Sequence, residues 1–260
     1  MTDDTALRLQ SPLFWSRAAP TYGRVGPQFF DYFGRHLVDF ARLPVGARVL
    51  DVGSGRGAVL FPAAERVGPG GEVIGIDFAE QMVAKTSAEI VARGVKNAQI
   101  RRMDAEQIGF GDASFDAVLC GFGIFFSPHL EQAFAGFRRV LKPDGICAVS
   151  TWGPRDERWS WLENRPQANR PGGMATLLSR AGFADVEAAE EQADFTYADE
   201  DDWWATAGSN GTRAFLESLP PDALAQAQAS AYDKLREMKQ PDGIHQLFNV
   251  IFTRATNPNT

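Results

Sequence analysis

The stretch VLDVGSGRGAVL, Val49 to Leu60, decides how the rest of this chain is read. An apolar, β-branched run ends in an acid, three glycines follow at alternate positions, and apolar residues resume with helical spacing. A strand, a tight turn and a helix in that order place main-chain N–H groups and a helix N-terminus toward a ligand at the carboxyl end of a sheet. Such a turn suits a dinucleotide, a nucleoside phosphate, or a ligand with no phosphate. Asp51, two residues before Gly53, weighs on that choice, because a carboxylate repels a pyrophosphate and attracts an ammonium group. No Gly-Lys-Ser/Thr follows the glycines, which excludes a Walker phosphate loop.

Outward from the turn, strand and helix patterns alternate. Before it, residues 13 to 43 carry Phe29, Phe30, Phe33, Leu37, Phe40 and Leu43 on one broad helical stripe, predicting one or two helices closed by Pro44. After the first strand, ARVLDV, comes the helix GAVLFPAAERV, which tolerates Pro62 only near its start. GEVIGID is a second strand, AEQMVAKTSAEIVARG a helix stopped by Gly94, AQIRRMD a third strand, and SFDAVLCGFGIFF contains a fourth. EQAFAGFRRVL is a helix and GICAVSTW a fifth strand. Beyond Trp152, GPRDERWSWLENRPQANRPGG lacks a period and is expected to be a surface loop. MATLLSRAGF is a helix, VEAAEEQADFTY a strand, residues 199 to 240 are helical, IHQLFNVIFTRA is the last strand, and TNPNT is expected to fray. The alternation predicts an α/β fold with a mostly parallel sheet and helices on both faces, in a single domain over 1–260.

Composition narrows the partners. With 260 residues and a formal net charge of −7, the chain has no basic footprint for nucleic acid or an anionic membrane. The N-terminus is polar and carries Asp3 and Asp4, so a secretory signal is not expected and the cytoplasm is. No apolar run approaches the roughly 18 residues that would suggest a membrane span. Cys120 and Cys147 lie in apolar runs, as reduced cysteines do, and His36, His129 and His245 are too scattered to suggest a metal site.

Two further acids shape the ligand. Asp77 ends the second strand, 24 residues after Gly53, where a carboxylate accepts from both hydroxyls of a ribose. Asp104 ends the third strand and suits an exocyclic amine. With Asp51, they describe a cationic, phosphate-free adenosine with an amino-acid tail. Taken singly, Asp77 also suits a helix cap, and Asp104 a cap or a solvated acid. A nicotinamide-dependent oxidoreductase is disfavoured by Asp51 and Asp104.

VLDVGSGRG, VIGIDFAEQMV, RRMDAEQIGFGDASFDAVLC and FRRVLKPDGICAVSTW resemble the successive motifs of the class I S-adenosylmethionine-dependent methyltransferases, in the small-molecule branch that includes the ubiquinone/menaquinone-biosynthesis (type 11) enzymes. The resemblance runs from about Val45 to Trp152 and more weakly to the end. It implies a Rossmann-like sheet of seven strands in the order 3-2-1-4-5-7-6, the last antiparallel. An N-terminal helical cap over 1–44, a cofactor-binding core over 45–152 and a substrate part over 153–260 with a helical insertion at 199–240 go with it. The cofactor is then S-adenosyl-L-methionine, leaving as S-adenosyl-L-homocysteine. Asp51, Gly53, Ser54 and Gly55 would meet its methionine end, Asp77 its ribose, Phe78 and Met82 its adenine face, and Asp104 and Ala105 the adenine edge. Cys120 and Gly121 would offer main-chain carbonyls to the ammonium, and Tyr22 a contact from the segment that folds over the cofactor.

The acceptor side is less determined. Related enzymes often place a histidine just past the fourth strand, where this chain has Phe122, Phe125 and Phe126. His129 and Tyr22 are the candidates for a catalytic group, and a base is needed only if the nucleophile carries a proton. Phe14, Trp15, Phe122, Phe125 and Trp152, with Trp203 and Trp204, suit an apolar or aromatic small molecule or else the core. Arg24 and Arg35 suit an anionic substrate group or simple solvation. The 199–240 helices serve equally as a lid, as the surface of a homodimer, or as a packed excursion. Methyl transfer to an O, N or C centre is the expected activity; a diverged S-adenosylmethionine-binding protein or cyclase is the alternative.

Overall fold

The computed structural model describes residues 8–162 and 173–258. Seven strands form one sheet: β1 (Arg48–Val52), β2 (Glu72–Asp77), β3 (Ala98–Arg102), β4 (Phe115–Gly121), β5 (Leu141–Trp152), β6 (Ala184–Tyr197) and β7 (Ile244–Thr256). Their order is β3-β2-β1-β4-β5-β7-β6, with β7 antiparallel to both its neighbours and the β1–β5 pairings parallel. This is the Rossmann-like order expected above. At the centre, Leu50 lies between Ile74 and Val118, all fully buried, which is why the first strand is apolar at successive positions rather than at alternate ones.

Nine helices are described: α1 (Pro12–Ala18), α2 (Phe29–Ala41), α3 (Leu60–Val67), α4 (Glu80–Ala92), α5 (Leu130–Val140), α6 (Gly173–Arg180), α7 (Glu200–Ser209), α8 (Thr212–Leu216) and α9 (Pro221–Met238). The stripe read between 13 and 43 is thus two helices, and α2 buries Phe29, Phe33, Leu37 and Val38 against one face of the sheet. Phe134 and Phe137 of α5 and Leu178 of α6 fill the other face. No described helix is long and apolar enough to cross a membrane.

Two expectations need correction. The loop after Trp152 is not all surface: Trp159 is fully buried, stacked on Trp203 at 5.8 Å in a satellite core with Tyr197 and Leu235. An aperiodic sequence hides such a residue because its partners are supplied by distant helices. The end also does not fray at Asn257, whose side-chain amide donates to the carbonyls of Arg138 (3.2 Å), Leu141 (3.1 Å) and Lys142 (3.2 Å). These bonds staple the end of β7 to the start of β5. The rest of the predicted loop, 163–172, and residues 259–260 of the tail lie outside the described residues.

The N-terminal helix and the insertion meet over the carboxyl ends of the strands. Ala214 of α8 shares one cluster with Phe14, Trp15 and Ala18. A Cβ on Gly211 would stand 3.7 Å from both Leu9 and Trp15, and Glu217 pairs with Arg17 at 3.0 Å. The two segments together roof the region where the glycine turn emerges.

Candidate active site

A cleft of about 190 Å³ opens at the carboxyl ends of β1, β2 and β4, beneath this roof. Its floor is the glycine turn. Gly53 (φ 66°) and Gly55 (φ 51°) sit in the left-handed region, which a side chain would strain. Asp77 fastens the turn: one carboxylate oxygen accepts from the Gly55 N–H at 2.9 Å, the other from the Ala79 N–H at 2.9 Å. Two N–H donors leave acceptor capacity on the same carboxylate for a ligand. Burial pushes Asp77 up to about 6, opposed by those two N–H groups.

Behind the turn lies a smaller cleft of about 30 Å³, lined by Asp51 and Ser54 among others. Asp51 is 1 % exposed, and among the described residues neither its carboxylate oxygens nor the Ser54 hydroxyl has a hydrogen-bond partner. Burial pushes Asp51 up to about 7, with the nearby Ser54 hydroxyl and Leu60 N–H opposing and the Asp77 charge adding. A buried carboxylate with no donor at full hydrogen-bonding distance and angle is costly, and a cationic group is a partner that removes the cost.

At the opposite end, Phe78, Met82, Met103, Asp104 and Ala105 line the main cleft. Asp104 accepts from the Glu106 N–H at 2.9 Å with one oxygen. Glu106, which the motif reading passed over, also lines the cleft, and its Oε1 accepts from the His129 N–H at 2.9 Å and from the Ser127 hydroxyl. Against the upward push of burial, these bonds hold Glu106 below the ordinary glutamate value.

Aromatic and aliphatic groups close the remaining side. Trp15, Phe122, Ile124, Phe126 and Pro128 line it, with Cys120, Gly121 and Gly123 between them. Phe122 has φ 55°, a left-handed conformation costing roughly 1–2 kcal/mol in a non-glycine residue. Its ring stacks on Trp152 at 4.2 Å, and its N–H donates to the Ser150 carbonyl at 3.1 Å, so packing holds the strained turn. Tyr22 borders both clefts, and its ring lies 3.6 Å from where a Gly55 Cβ would be. Burial, then the Asp77 charge, raises its phenol well above the usual tyrosine value.

Of the twelve residues expected at the cofactor, ten line the main cleft, and Asp51 and Ser54 line the smaller one. The acceptor side is different. Phe14 is buried in the core under α1, because successive helical residues point about 100° apart and Trp15 takes the cleft. The 3₁₀ turn Ile124–Phe126 likewise turns Phe126 into the cleft and leaves Phe125 against the core. Trp152 backs Phe122 without lining either cleft, and Trp203 and Trp204 belong to the Trp159 cluster. His129 is exposed just before α5 and outside the lining. Arg35 is spent on Glu65 at 3.0 Å on the surface. Arg24 reaches Glu89 at 3.0 Å and the Arg56 carbonyl at 3.1 Å.

Arg24 belongs to a latch that sequence spacing hides. Glu89 of α4 accepts from Arg24, from Arg56 at 3.2 Å and from Arg93, while Arg56 also donates to the Ala19 carbonyl at 2.7 Å. The segment bearing Tyr22 is thereby tied to the glycine turn. Partners 33 and 65 residues apart give no local signal.

The methyltransferase-domain family pattern matches residues 49–145 of the chain. Nocamycin O-methyltransferase of Saccharothrix syringae is 33% identical over 245 residues, covering 84% of this chain and 88% of that protein. The chain is a class I S-adenosylmethionine-dependent methyltransferase. A further relative, aklanonic acid methyltransferase DauC of Streptomyces sp. (strain C5), is 40% identical over 148 residues, 57% of this methyltransferase and 67% of DauC. The crystal structure of YcgJ from Bacillus subtilis superposes with a TM-score of 0.65 at 18% identity, covering 88% of this methyltransferase and all of YcgJ, a likeness of fold. The cofactor, S-adenosylmethionine, therefore follows from membership, and the residues present fit it. The unpartnered Asp51 carboxylate suits its cationic end, and the side-chain-free turn at Gly53–Gly55 suits close approach of its main chain.

Proposed function

We propose that this methyltransferase moves a methyl group to an oxygen of a small, apolar or aromatic metabolite, a quinone precursor or secondary metabolite. One observation carries the reading: the cleft is divided, with its acids along one end and floor and an apolar wall facing them. Asp51, with the main chain at Gly53, Ser54 and Gly55, holds the methionine end, and the Cys120 and Gly121 carbonyls accept from the ammonium. Asp77 holds the ribose; Asp104 and the Ala105 N–H hold the adenine edge, and Phe78 and Met82 its face. S-adenosylmethionine supplies a methyl on a sulfonium, a good leaving group. The chain then orients an acceptor for in-line attack, and Trp15, Phe122 and Phe126 exclude water from its path. Two relatives named for O-methylation and for an acid substrate support the choice of oxygen.

The test is S-adenosylhomocysteine release with a panel of aromatic O-, N- and C-acceptors, alongside calorimetry for the cofactor. Turnover of oxygen acceptors, lost in Asp77→Asn and Asp104→Asn together with binding, is the expected result. Tight cofactor binding with no turnover of any acceptor refutes transfer and favours a protein that uses the cofactor without spending it. NAD binding in place of S-adenosylmethionine would refute the site assignment itself.

A further inference from the structure

Resting on the placement of the cofactor over the glycine turn, we propose that Thr86 is a positioning residue for S-adenosylmethionine: from α4 it fixes Gly55, the turn residue that Asp77 holds from the other side. Thr86 is fully buried and lines neither cleft. Its hydroxyl donates to the Gly55 carbonyl at 2.7 Å, and the Gly55 N–H donates to Asp77 at 2.9 Å. Both main-chain polar atoms of one glycine are thereby tied to side chains 31 and 22 residues away.

Gly55 needs such ties. It sits at φ 51°, and a glycine visits left- and right-handed backbone about equally, so nothing intrinsic to the residue keeps the turn in this shape. Shape is what the turn offers a ligand: the Ser54 N–H is spent on the Ile76 carbonyl at 3.0 Å, the Gly57 N–H on the Ser54 carbonyl at 2.8 Å, and the Gly55 N–H on Asp77. With those three donors committed, close approach of the main chain carries the contact instead. A turn that shifts alters that approach and also takes from Asp77 one of the two N–H groups that orient its carboxylate.

The helix is patterned for this task. Met82, Thr86 and Ile90 form the buried stripe of α4, one residue per turn, and Met82 at its start lines the main cleft. A hydroxyl in a buried stripe is destabilising unless bonded, and a valine would fill the same space without that cost. The bond that Thr86 makes is the one on the glycine turn, so the helix that walls the nucleoside end also sets the floor. Without the hydroxyl, the carbonyl of buried Gly55 loses its donor and the turn is released to settle elsewhere.

The experiment is calorimetric titration of the full chain with S-adenosylmethionine, which separates affinity from the fraction of protein able to bind. Thr86→Val removes the hydroxyl at nearly constant shape, whereas Thr86→Ser keeps the hydroxyl and deletes a buried methyl. The dissociation constant is expected to rise about tenfold in Thr86→Val and to stay within about twofold of wild type in Thr86→Ser, with stoichiometry unchanged in both. Should Thr86→Val fail to fold, Thr86→Ala against Thr86→Ser compares the same hydroxyl at equal loss of the methyl. Ile90→Val, one turn further along the stripe, destabilises the fold without touching the glycine turn and is expected to leave the constant in place. A role in folding alone lowers stoichiometry and not affinity, and that result overturns the proposal. So does a Thr86→Val constant within about twofold of wild type, or equal weakening in Thr86→Ser and Thr86→Val. Asp77→Asn protein that binds as tightly as wild type refutes instead the cofactor placement beneath the proposal.

Discussion

If Asp51 and Asp77 receive the cationic nucleoside as proposed, cofactor affinity should rise steeply with pH between about 5 and 7, because burial holds both carboxylates protonated. Asp51 is pushed up to about 7 and Asp77 to about 6. If only ionised Asp51 meets the ammonium group, its charged fraction grows from about 1% at pH 5 to about half at pH 7, an affinity gain of roughly 50-fold. Asp77 adds up to about tenfold over the same interval. The upper limit of the window is set by the ligand, whose α-amino group loses its proton at about 7.7–8.0. Calorimetric titration at pH 5, 6 and 7, in buffers of different ionisation enthalpy, would give the affinity and the protons released, between one and two near pH 6. In Asp51→Asn the slope should fall to that of Asp77 alone. The sign reverses for the cofactor-free fold. A carboxylate raised on folding favours the native state at low pH, so wild type should lose stability relative to Asp51→Asn as pH climbs from about 4 to about 7, then run parallel to it. An affinity constant within threefold across pH 5–7, or an equal slope in Asp51→Asn, would refute Asp51 as the receptor of the positive charge.

Three further outcomes follow from named contacts. Gly34→Ala, a change that helix propensity alone favours by about 1 kcal/mol, should instead destabilise by about 2 kcal/mol, because the new Cβ would lie 2.2 Å from the Ala58 carbonyl oxygen. Scanning calorimetry should show a Tm lower by about 4–8 °C, and a raised Tm would contradict the close approach of α2 to the glycine turn. Glu89→Gln, which breaks the charge partnership of three arginines at a carboxylate 18% exposed, should loosen the Tyr22 segment and speed cofactor release about tenfold in stopped-flow displacement. A release rate within twofold of wild type would show the latch to be dispensable. Asn257→Ala leaves three carbonyls without their shared donor and should cost about 2 kcal/mol in urea unfolding while leaving kcat unchanged, since the residue lies at the far end of β5 from the cleft.

The order of elements, the strand-end acids and the glycine turn were legible because each rests on local spacing. Strand periodicity places Asp51, Asp77 and Asp104 at strand ends, and parallel strands bring those ends to one edge whatever packs around them. The acceptor wall was not legible in the same way. Phe14 and Trp15, or Phe125 and Phe126, are indistinguishable in composition, and which of each pair reaches the cleft depends on how α1 and the Ile124–Phe126 turn are rotated by their neighbours. Glu106 stayed hidden because its hold on Ser127 and His129 crosses a chain separation of more than twenty residues. Trp159 and Asn257 were misread as loop and tail for the same reason, their partners lying 44 and up to 119 residues away.

By itself, then, this sequence determined the ligand's nucleoside and its positive charge, since these depend on residue types at the ends of a repeating pattern. Which aromatic rings line the cleft, the left-handed Phe122 in its wall and the absence of an imidazole among the described lining residues are decided by the tertiary structure. Those are properties of side-chain direction across distant segments, fixed when helices from both ends of the chain close over one edge of the sheet.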